Sequence, residues 1–426
     1  MDRTISNARQ FCGTVSVPGD KSLSHRGLLF GAISQGKTRL TGLSQGEDVQ
    51  TTARCLEAMG VRIERRTSEV IIDGVGLKGL RVAKAALDCG NSGSTMRMLM
   101  GLLAGQDFVS TLTGDASLSR RPMDRVANPL REMGAQIDLT ETRFSPLRIT
   151  GKKLKGIPYS LPVASAQVKS ALLIAGLLAE GETRLTGKIQ SRDHTERLLP
   201  YFGASLREDA SSITIAGNQK LQGVSFDIPG DPSSAAFWLA GACVVGKGSV
   251  SLDRLLLNPT RTGFQRTLTR MGAQLIENVV VKAPELAGNV EVKGSMLRGI
   301  SVAPHEVSSL IDEVPMLAVL ATYADGITEV RGAEELRVKE SDRIESVAIN
   351  LRRMGVVIET FPDGFRIKGP QKLTGATVDS FGDHRIAMAF AIGALGASGD
   401  TRILNCESVN ISYPEFFETL ERLTLG

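Results

Sequence analysis

The chain has 426 residues, 50 of them basic and 46 acidic, for a formal charge of +4. At about 150 residues per domain this length calls for two or three domains, with two as the starting expectation, and so small and evenly spread a charge excludes an electrostatic nucleic-acid footprint while leaving small anionic partners open. The five cysteines, Cys12, Cys55, Cys89, Cys243 and Cys406, are scattered without a C-x-x-C pair, which argues against a disulfide framework or a zinc site and for a reducing, cytoplasmic compartment.

The chain opens with MDRTISNARQFCG, which has no apolar signal core, and no later apolar stretch reaches the roughly 18 residues of a membrane span. No membrane partner is expected. From Gly19 onward a pattern of about 70 residues recurs along the chain. Each copy begins with a polar cluster entering an apolar, small-residue-rich helix: GDKSLSHRGLLFGAI from Gly19, GNSGSTMRMLMGLLAG from Gly90, ASAQVKSALLIAGLLAEG from Ala164, GDPSSAAFWLAGACVVG from Gly230, IDEVPMLAVLATYADG from Ile311 and GDHRIAMAFAIGALGASG from Gly382. A turn and a strand follow, then a second, amphipathic helix. In five copies that helix stops at a glycine, namely Gly60, Gly134, Gly203, Gly272 and Gly355, with a β-hairpin after it.

The unit is therefore βαβαββ. The sixth copy runs out at Gly426 after its second helix, so residues 1–19 are expected to supply its missing strands. Three copies per domain predict one domain at 20–228 and a second from 1–19 plus 229–426, with crossovers near Pro18-Gly19 and Pro229-Gly230 forming a hinge. The terminal copies carry some of the most charged helix starts, unlike the polar caps of a solenoid scaffold.

Two familiar motifs dissolve into this repeat. GAISQGKT, Gly31 to Thr38, matches a P-loop, but it closes a helix and leads into a strand, the reverse of the order phosphate binding needs. GVGLKG from Gly74 matches a dinucleotide fingerprint, yet GKKLKG, GNQKLQG, GSMLRG and GPQKLTG recur at the same hairpin. No nucleotide cofactor is expected.

The helix starts hold the densest chemistry. A helix N-terminus offers free N–H groups and a positive dipole end, so six such ends directed at one interdomain cleft would make an anion site. Lys21, Ser22 and Arg26 lie in the first copy, Asn91 to Ser94 in the second, Ser165, Gln167 and Lys169 in the third. Asp312 and Glu313 lie in the fifth, and Asp383, His384 and Arg385 in the sixth. Loops add Arg120, Arg121, Arg192, Lys339, Glu340 and Arg343.

GDKSLSHR, GNSGSTMR, SRRPMD, SAQVK, RVKESDR and GDHR, in that order across essentially the whole chain, resemble the motifs of the EPSP synthases. That resemblance implies an α/β fold, a two-domain inside-out barrel of six βαβαββ units of the enolpyruvyl transferase type. It implies transfer of the enolpyruvyl group of phosphoenolpyruvate to the 5-hydroxyl of shikimate 3-phosphate, in the shikimate pathway to aromatic amino acids, by a monomer without metal or cofactor. Carried over residue by residue, it places phosphoenolpyruvate on Lys21, Asn91, Gly93, Arg121, Gln167, Arg343 and Arg385, with Gly93 keeping the pocket floor bare. Shikimate 3-phosphate falls to Lys21, Ser22, Arg26, Ser165, Ala166, Gln167, Arg192, Asp312 and Lys339. Asp312 would accept the proton of the 5-hydroxyl, Glu340 would protonate the methylene carbon, Lys21 would assist, and His384 would be auxiliary; His25 and His194 are expected to be structural or to support the residues that touch substrate, rather than catalytic. Two phosphates and two carboxylates suit this supply of Arg forks and Lys point charges.

GDKS at Gly19, SAQVK at Ser165, RDHTE at Arg192 and NPTR at Asn258 resemble the class II branch, which includes glyphosate-tolerant members. Ile411 stands where many class I members have lysine, and Met98 where class I usually has proline. These signals, set against Gly93, imply glyphosate as an inhibitor met with intermediate tolerance. The rival family of the same fold, UDP-N-acetylglucosamine enolpyruvyl transferase, usually carries Lys-Asn near the start and a loop cysteine. Here Ser22 follows Lys21, and SLSRRPMD contains no cysteine. A non-catalytic scaffold or an RNA 3'-terminal phosphate cyclase would leave Asp312 and Glu340 unexplained.

Overall fold

The structure, a computed structural model, describes residues 1–425. It divides into two compact units, Gly19–Ile228 and Met1–Pro18 with Pro229–Gly426. Among the described residues no helix is long and apolar enough to cross a membrane.

The middle unit holds α1 (Lys21–Ile33), α2 (Glu47–Ala58), α3 (Gly93–Ala104), α4 (Asp124–Glu132), α5 (Ala166–Leu178) and α6 (His194–Tyr201). Its three four-stranded sheets share one order. In the second, Leu87–Asp88 lies parallel to Val109–Thr113, which pairs antiparallel with Phe144–Thr150, and that strand with Gln136–Thr140. A parallel pair needs a crossover, and the first helix of each copy supplies it. The first sheet takes its parallel strand, Ser225–Asp227, from the far end of the unit, against Gln35–Thr41. The unit thus closes on itself.

Helices α1, α3 and α5 are apolar or small on nearly every side and are buried along almost their whole length, as a helix without a polar face must be. They pack closely: a Cβ on Gly101 of α3 would come within 2.2 Å of the Ala171 carbonyl oxygen in α5. The second helices bury one face each. They end where expected, at Gly60, Gly134 and Gly203, with φ of 91°, 102° and 91°, a left-handed conformation that costs a glycine little.

The other unit holds α7 (Pro232–Val245), α8 (Gly263–Arg270), the short α9 (Pro304–Val307), α10 (Val314–Ala321), α11 (Arg343–Arg353), α12 (His384–Ala394) and α13 (Phe416–Leu425). Two of its sheets repeat the four-stranded order. The sixth copy departs from expectation. Residues 1–19 do not complete it with a hairpin: Arg3–Ile5 adds one antiparallel strand to Thr401–Leu404, leaving three strands, while Gly13–Val15 goes to the fourth copy, parallel to Ser249–Leu256. An aromatic cluster ties the chain's two ends together. Trp238 stacks on Phe416 at 4.8 Å between centroids and on Phe11 at 6.4 Å, and its indole N–H donates to the Tyr413 hydroxyl at 3.3 Å. That cluster fastens α13 and the N-terminal segment to α7.

The P-loop look-alike lies as its context required. Gly31 lies in the last turn of α1, whose C-cap is Ser34, and Lys37 and Thr38 are in the strand Gln35–Thr41. All five cysteines are free thiols.

Candidate active site

Five of the six first-helix starts are capped by a side chain. Asp20, Ser92, Ser165, Asp231 and Asp383 accept from the backbone N–H of Leu23, Thr95, Val168, Ser233 and Arg385, using one of the orphan donors and leaving others in the first turn. The fifth differs. α10 follows a 3-10 turn over Ile311–Glu313 and has no side-chain cap, which brings Asp312 and Glu313 to its mouth.

In the middle unit the first turns of α1, α3 and α5 gather. Gln167 Nε2 donates to Ser94 Oγ at 2.9 Å, tying α5 to α3, and Gln167 Oε1 accepts from Arg97 Nη1 at 2.6 Å. Lys21, the first residue of α1, pairs with Asp48 at 2.9 Å. Arg121, buried, donates through Nη2 to Asn91 Oδ1 at 2.6 Å and through Nη1 to the Asn91 carbonyl at 3.2 Å. Asn91 Nδ2 in turn donates to Asp115 at 2.7 Å. Ser165 caps α5, Ala166 opens it, and Arg192 sits half-buried in the loop before α6.

Two of the expected residues have close neighbours within this unit. Arg26 is 4% exposed and directs Nε to Thr195 Oγ1 at 2.7 Å and Nη2 to Ser170 Oγ at 2.6 Å, while Nη1 donates to the Ser22 carbonyl at 2.9 Å. It braces α1 against α5 and α6. A Cβ on Gly93 would lie 2.8 Å from Arg97 Nη1 and 3.7 Å from Arg121 Nη1. The glycine leaves room for two guanidinium groups.

His25 lies in the first turns of α1. It is fully buried, its Nδ1 lies 2.7 Å from Thr52 Oγ1, and Thr52 bonds Thr95 at 2.6 Å. Burial, with Lys21 and Arg26 nearby, holds its pKa well below the ordinary histidine value.

In the other unit one arginine organises the carboxylates. Arg343, the first residue of α11 and 1% exposed, reaches Asp383 at 2.8 Å, Glu340 at 2.7 Å and Asp312 at 3.2 Å. Burial alone would lower its pKa, but Asp383, Glu340 and Asp312 together raise it, so the guanidinium stays charged. Lys339 Nζ stands 3.8 Å from Asp312. Beside this cluster, Ser233 in α7 donates to Glu313, and Arg261 bridges Asp231 at 2.8 Å and Ser233 at 3.1 Å. His384 opens α12 and is buried. Arg385 follows it, 5% exposed, and its side chain makes no ion pair or hydrogen bond among the described residues.

Sequence reasoning missed Asp48, Arg97, Thr195 and Ser170. Arg97 lies inside the GNSGSTMR segment, three residues after Ser94 and so on the same helix face, the one signal that could have found it. Asp48 carries no local signal; it is an acidic first-turn residue of a second helix.

This architecture, βαβαββ copies in two units, is the fold of an enolpyruvyl transferase. The solved enolpyruvyl transferase NikO from Streptomyces tendae shares the fold at a TM-score of 0.79 over 99% of this chain and 96% of that one, at 18% identity. Within that class the match narrows. The family model for EPSP synthase (3-phosphoshikimate 1-carboxyvinyltransferase) fits residues 5–420. A 3-phosphoshikimate 1-carboxyvinyltransferase from Synechococcus sp. (strain JA-3-3Ab) is 49% identical over 99% of this chain and 96% of its own length, and one from Shouchella clausii is 47% identical over 99% and 100%. The solved EPSP synthase from Acinetobacter baumannii superposes with a TM-score of 0.88 at 45% identity, covering 100% of this chain and 98% of that one. The chain belongs to the EPSP synthase family, the transferases that move the enolpyruvyl group of phosphoenolpyruvate onto shikimate 3-phosphate and release phosphate in the shikimate pathway.

Proposed function

We propose that the two constellations are the two halves of the site for this reaction, brought together around the substrate pair by closure at the crossovers near Pro18-Gly19 and Pro229-Gly230. The observation that carries the reading is Arg385. A buried guanidinium with no described counter-charge is costly unless an anion arrives, and phosphoenolpyruvate brings both a carboxylate and a phosphate. Lys21, Arg121 and Arg343 supply further cations for that ligand, with Asn91, Gly93 and Gln167 shaping its pocket. Ser22, Ser165, Ala166, Gln167, Arg192 and Lys339 hold shikimate 3-phosphate, and Arg26 supports it through its carbonyl contact with Ser22.

Asp312 takes the proton from the attacking 5-hydroxyl. Glu340 delivers a proton to the methylene carbon of phosphoenolpyruvate, the new C–O bond forms, and the tetrahedral adduct then expels phosphate as the C–H bond breaks again. Arg343 touches both carboxylates, which supports this division of labour. Glyphosate, which carries a carboxylate and a phosphonate, would occupy the phosphoenolpyruvate site as an inhibitor, and the chain would act as a monomer in the cytoplasm.

The test is phosphate release with phosphoenolpyruvate and either shikimate 3-phosphate or UDP-N-acetylglucosamine. Turnover is expected with the first alone; turnover with the second alone would overturn the acceptor assignment. Small-angle scattering should show compaction on adding shikimate 3-phosphate, and an unchanged radius at saturation would count against closure.

A further inference from the structure

Beneath the Arg192 loop lies a buried ion pair that the reaction above does not use. Lys169, one turn into α5 and 1% exposed, meets Glu196 of α6, 4% exposed, at 2.5 Å. The same ammonium group donates to the carbonyls of Ile189 at 3.0 Å and Ser191 at 3.5 Å. Those two carbonyls belong to the residues just before Arg192. Desolvation of Glu196 pushes its pKa up against the pull of Lys169, a sign that the pair sits in a costly place.

The internal repeat provides the control. Lys169 stands four residues after the cap of its helix, and the matching positions in the other copies are Ser24, Met96, Ala235, Leu317 and Ala387, all buried and none charged. Glu196 stands three residues after Asp193, and its counterparts in the same unit are Val49 and Val126, both buried. The fold therefore builds this junction from uncharged groups in the sister copies of this unit, and from apolar ones, Met96 and Val126, in the second copy. A buried pair of charges is often no more stabilising than apolar residues of similar volume, so stability does not explain why the third copy alone carries one. What distinguishes the third copy is its loop, which must present Arg192 beside the first turn of α5.

We propose that Lys169 is a positioning residue for shikimate 3-phosphate: by holding the carbonyls of Ile189 and Ser191 against α5, with Glu196 fixing its ammonium group, it sets Arg192 within reach of the ligand bound at Ser165 to Gln167. This rests on the assignment of Arg192 to that ligand. Lys169 touches neither substrate and acts through the loop.

The test uses three purified full-length variants and the wild type, with steady-state kinetics and calorimetric binding of shikimate 3-phosphate. Lys169→Met with Glu196→Val installs residues found at the sister positions, so the thermal midpoint should stay level or rise. The double variant should nevertheless bind shikimate 3-phosphate about tenfold more weakly, the scale of one lost charge-assisted hydrogen bond, with KM for phosphoenolpyruvate little changed. Arg192→Ala should show a similar loss. Adding Arg192→Ala to the double variant should cost nothing more, because residues that act through one contact are not additive.

Full additivity, or an unchanged shikimate 3-phosphate affinity in the Lys169/Glu196 variant while Arg192→Ala loses it, overturns the positioning role. Normal affinity in Arg192→Ala sinks the Arg192 assignment and the inference with it. Should the double variant not fold, the apolar-equivalence argument is wrong, and Glu196→Gln decides the rest: it should weaken shikimate 3-phosphate alone, by a few fold, and no change there ends the proposal.

Discussion

The two units place opposite chemistry at equivalent helix starts. In the middle unit Arg97 and Arg121 donate to Gln167, Pro122, Asn91 and Ser117. In the other unit Arg343 is surrounded by Asp312, Glu340 and Asp383, and the local balance is anionic. One scaffold thus sets Arg343 among three carboxylates in one unit and Arg97 and Arg121 on amide, carbonyl and hydroxyl oxygens in the other, which fits the proposed division into an acid–base centre and an anion receptor.

The sharpest way to break this comparison is to neutralise the carboxylates. Asp312→Asn and Glu340→Gln are each expected to lower kcat by about a hundredfold or more, the usual worth of a positioned acid or base, with shikimate 3-phosphate binding largely kept. Calorimetric binding beside steady-state rates checks both halves, and near-normal turnover would remove that residue from the chemistry.

Next in size is the hub. Arg343→Lys keeps the charge but loses the planar fork that reaches three carboxylates at once. It should lower kcat/KM for phosphoenolpyruvate by about tenfold or more and reduce the thermal midpoint, because Asp383 is fully buried and depends on that fork. An unchanged midpoint would show that Asp383 needs no such partner.

On the receptor side, Gly93→Ala directs a methyl at Arg97 Nη1. The side chain's far end must shift, and its bond to Gln167 with it. Glyphosate, the longer ligand, should lose affinity by several fold more than phosphoenolpyruvate. Competition assays on both proteins decide this, and an equal loss would place Gly93 away from the discriminating end.

The smallest effect is the pH response of His25. Its folded pKa lies well below the ordinary 6.5, so the native state keeps it neutral while the unfolded chain takes up a proton as pH drops. Its contribution to stability is present above about 6.5 and is lost as pH falls from there toward the depressed folded value, at up to about 1.4 kcal/mol per pH unit. Urea unfolding at pH 7 and pH 5 should show the wild type losing more stability than His25→Gln; equal losses would contradict this sign.

Much of the architecture was legible because a repeat states its rule several times. The small-residue first helices, the amphipathic second ones and the glycine stops, each with φ between 86° and 103°, follow from residue types whose local preferences are strong and whose pattern recurs. The sixth copy was legible only as a gap. Its repair, one strand from Arg3–Ile5 and an aromatic cluster on Trp238, joins residues hundreds of positions apart, and no local preference encodes such a pairing.

The site divides along the same line. Sequence alone determined which residues carry charge at which helix starts, because caps, helix dipoles and clustered Arg, Lys, Asp and Glu are properties of short segments. Tertiary structure alone decided their partners: that Arg26 turns inward to Ser170 and Thr195, that Gly93 makes room for Arg97, that Arg343 gathers carboxylates from three segments, and that Arg385 is buried with no carboxylate paired to it among the described residues. The physical reason is that charge belongs to a residue, whereas what a charge can do depends on burial and on neighbours that only the packed fold brings within a few ångströms.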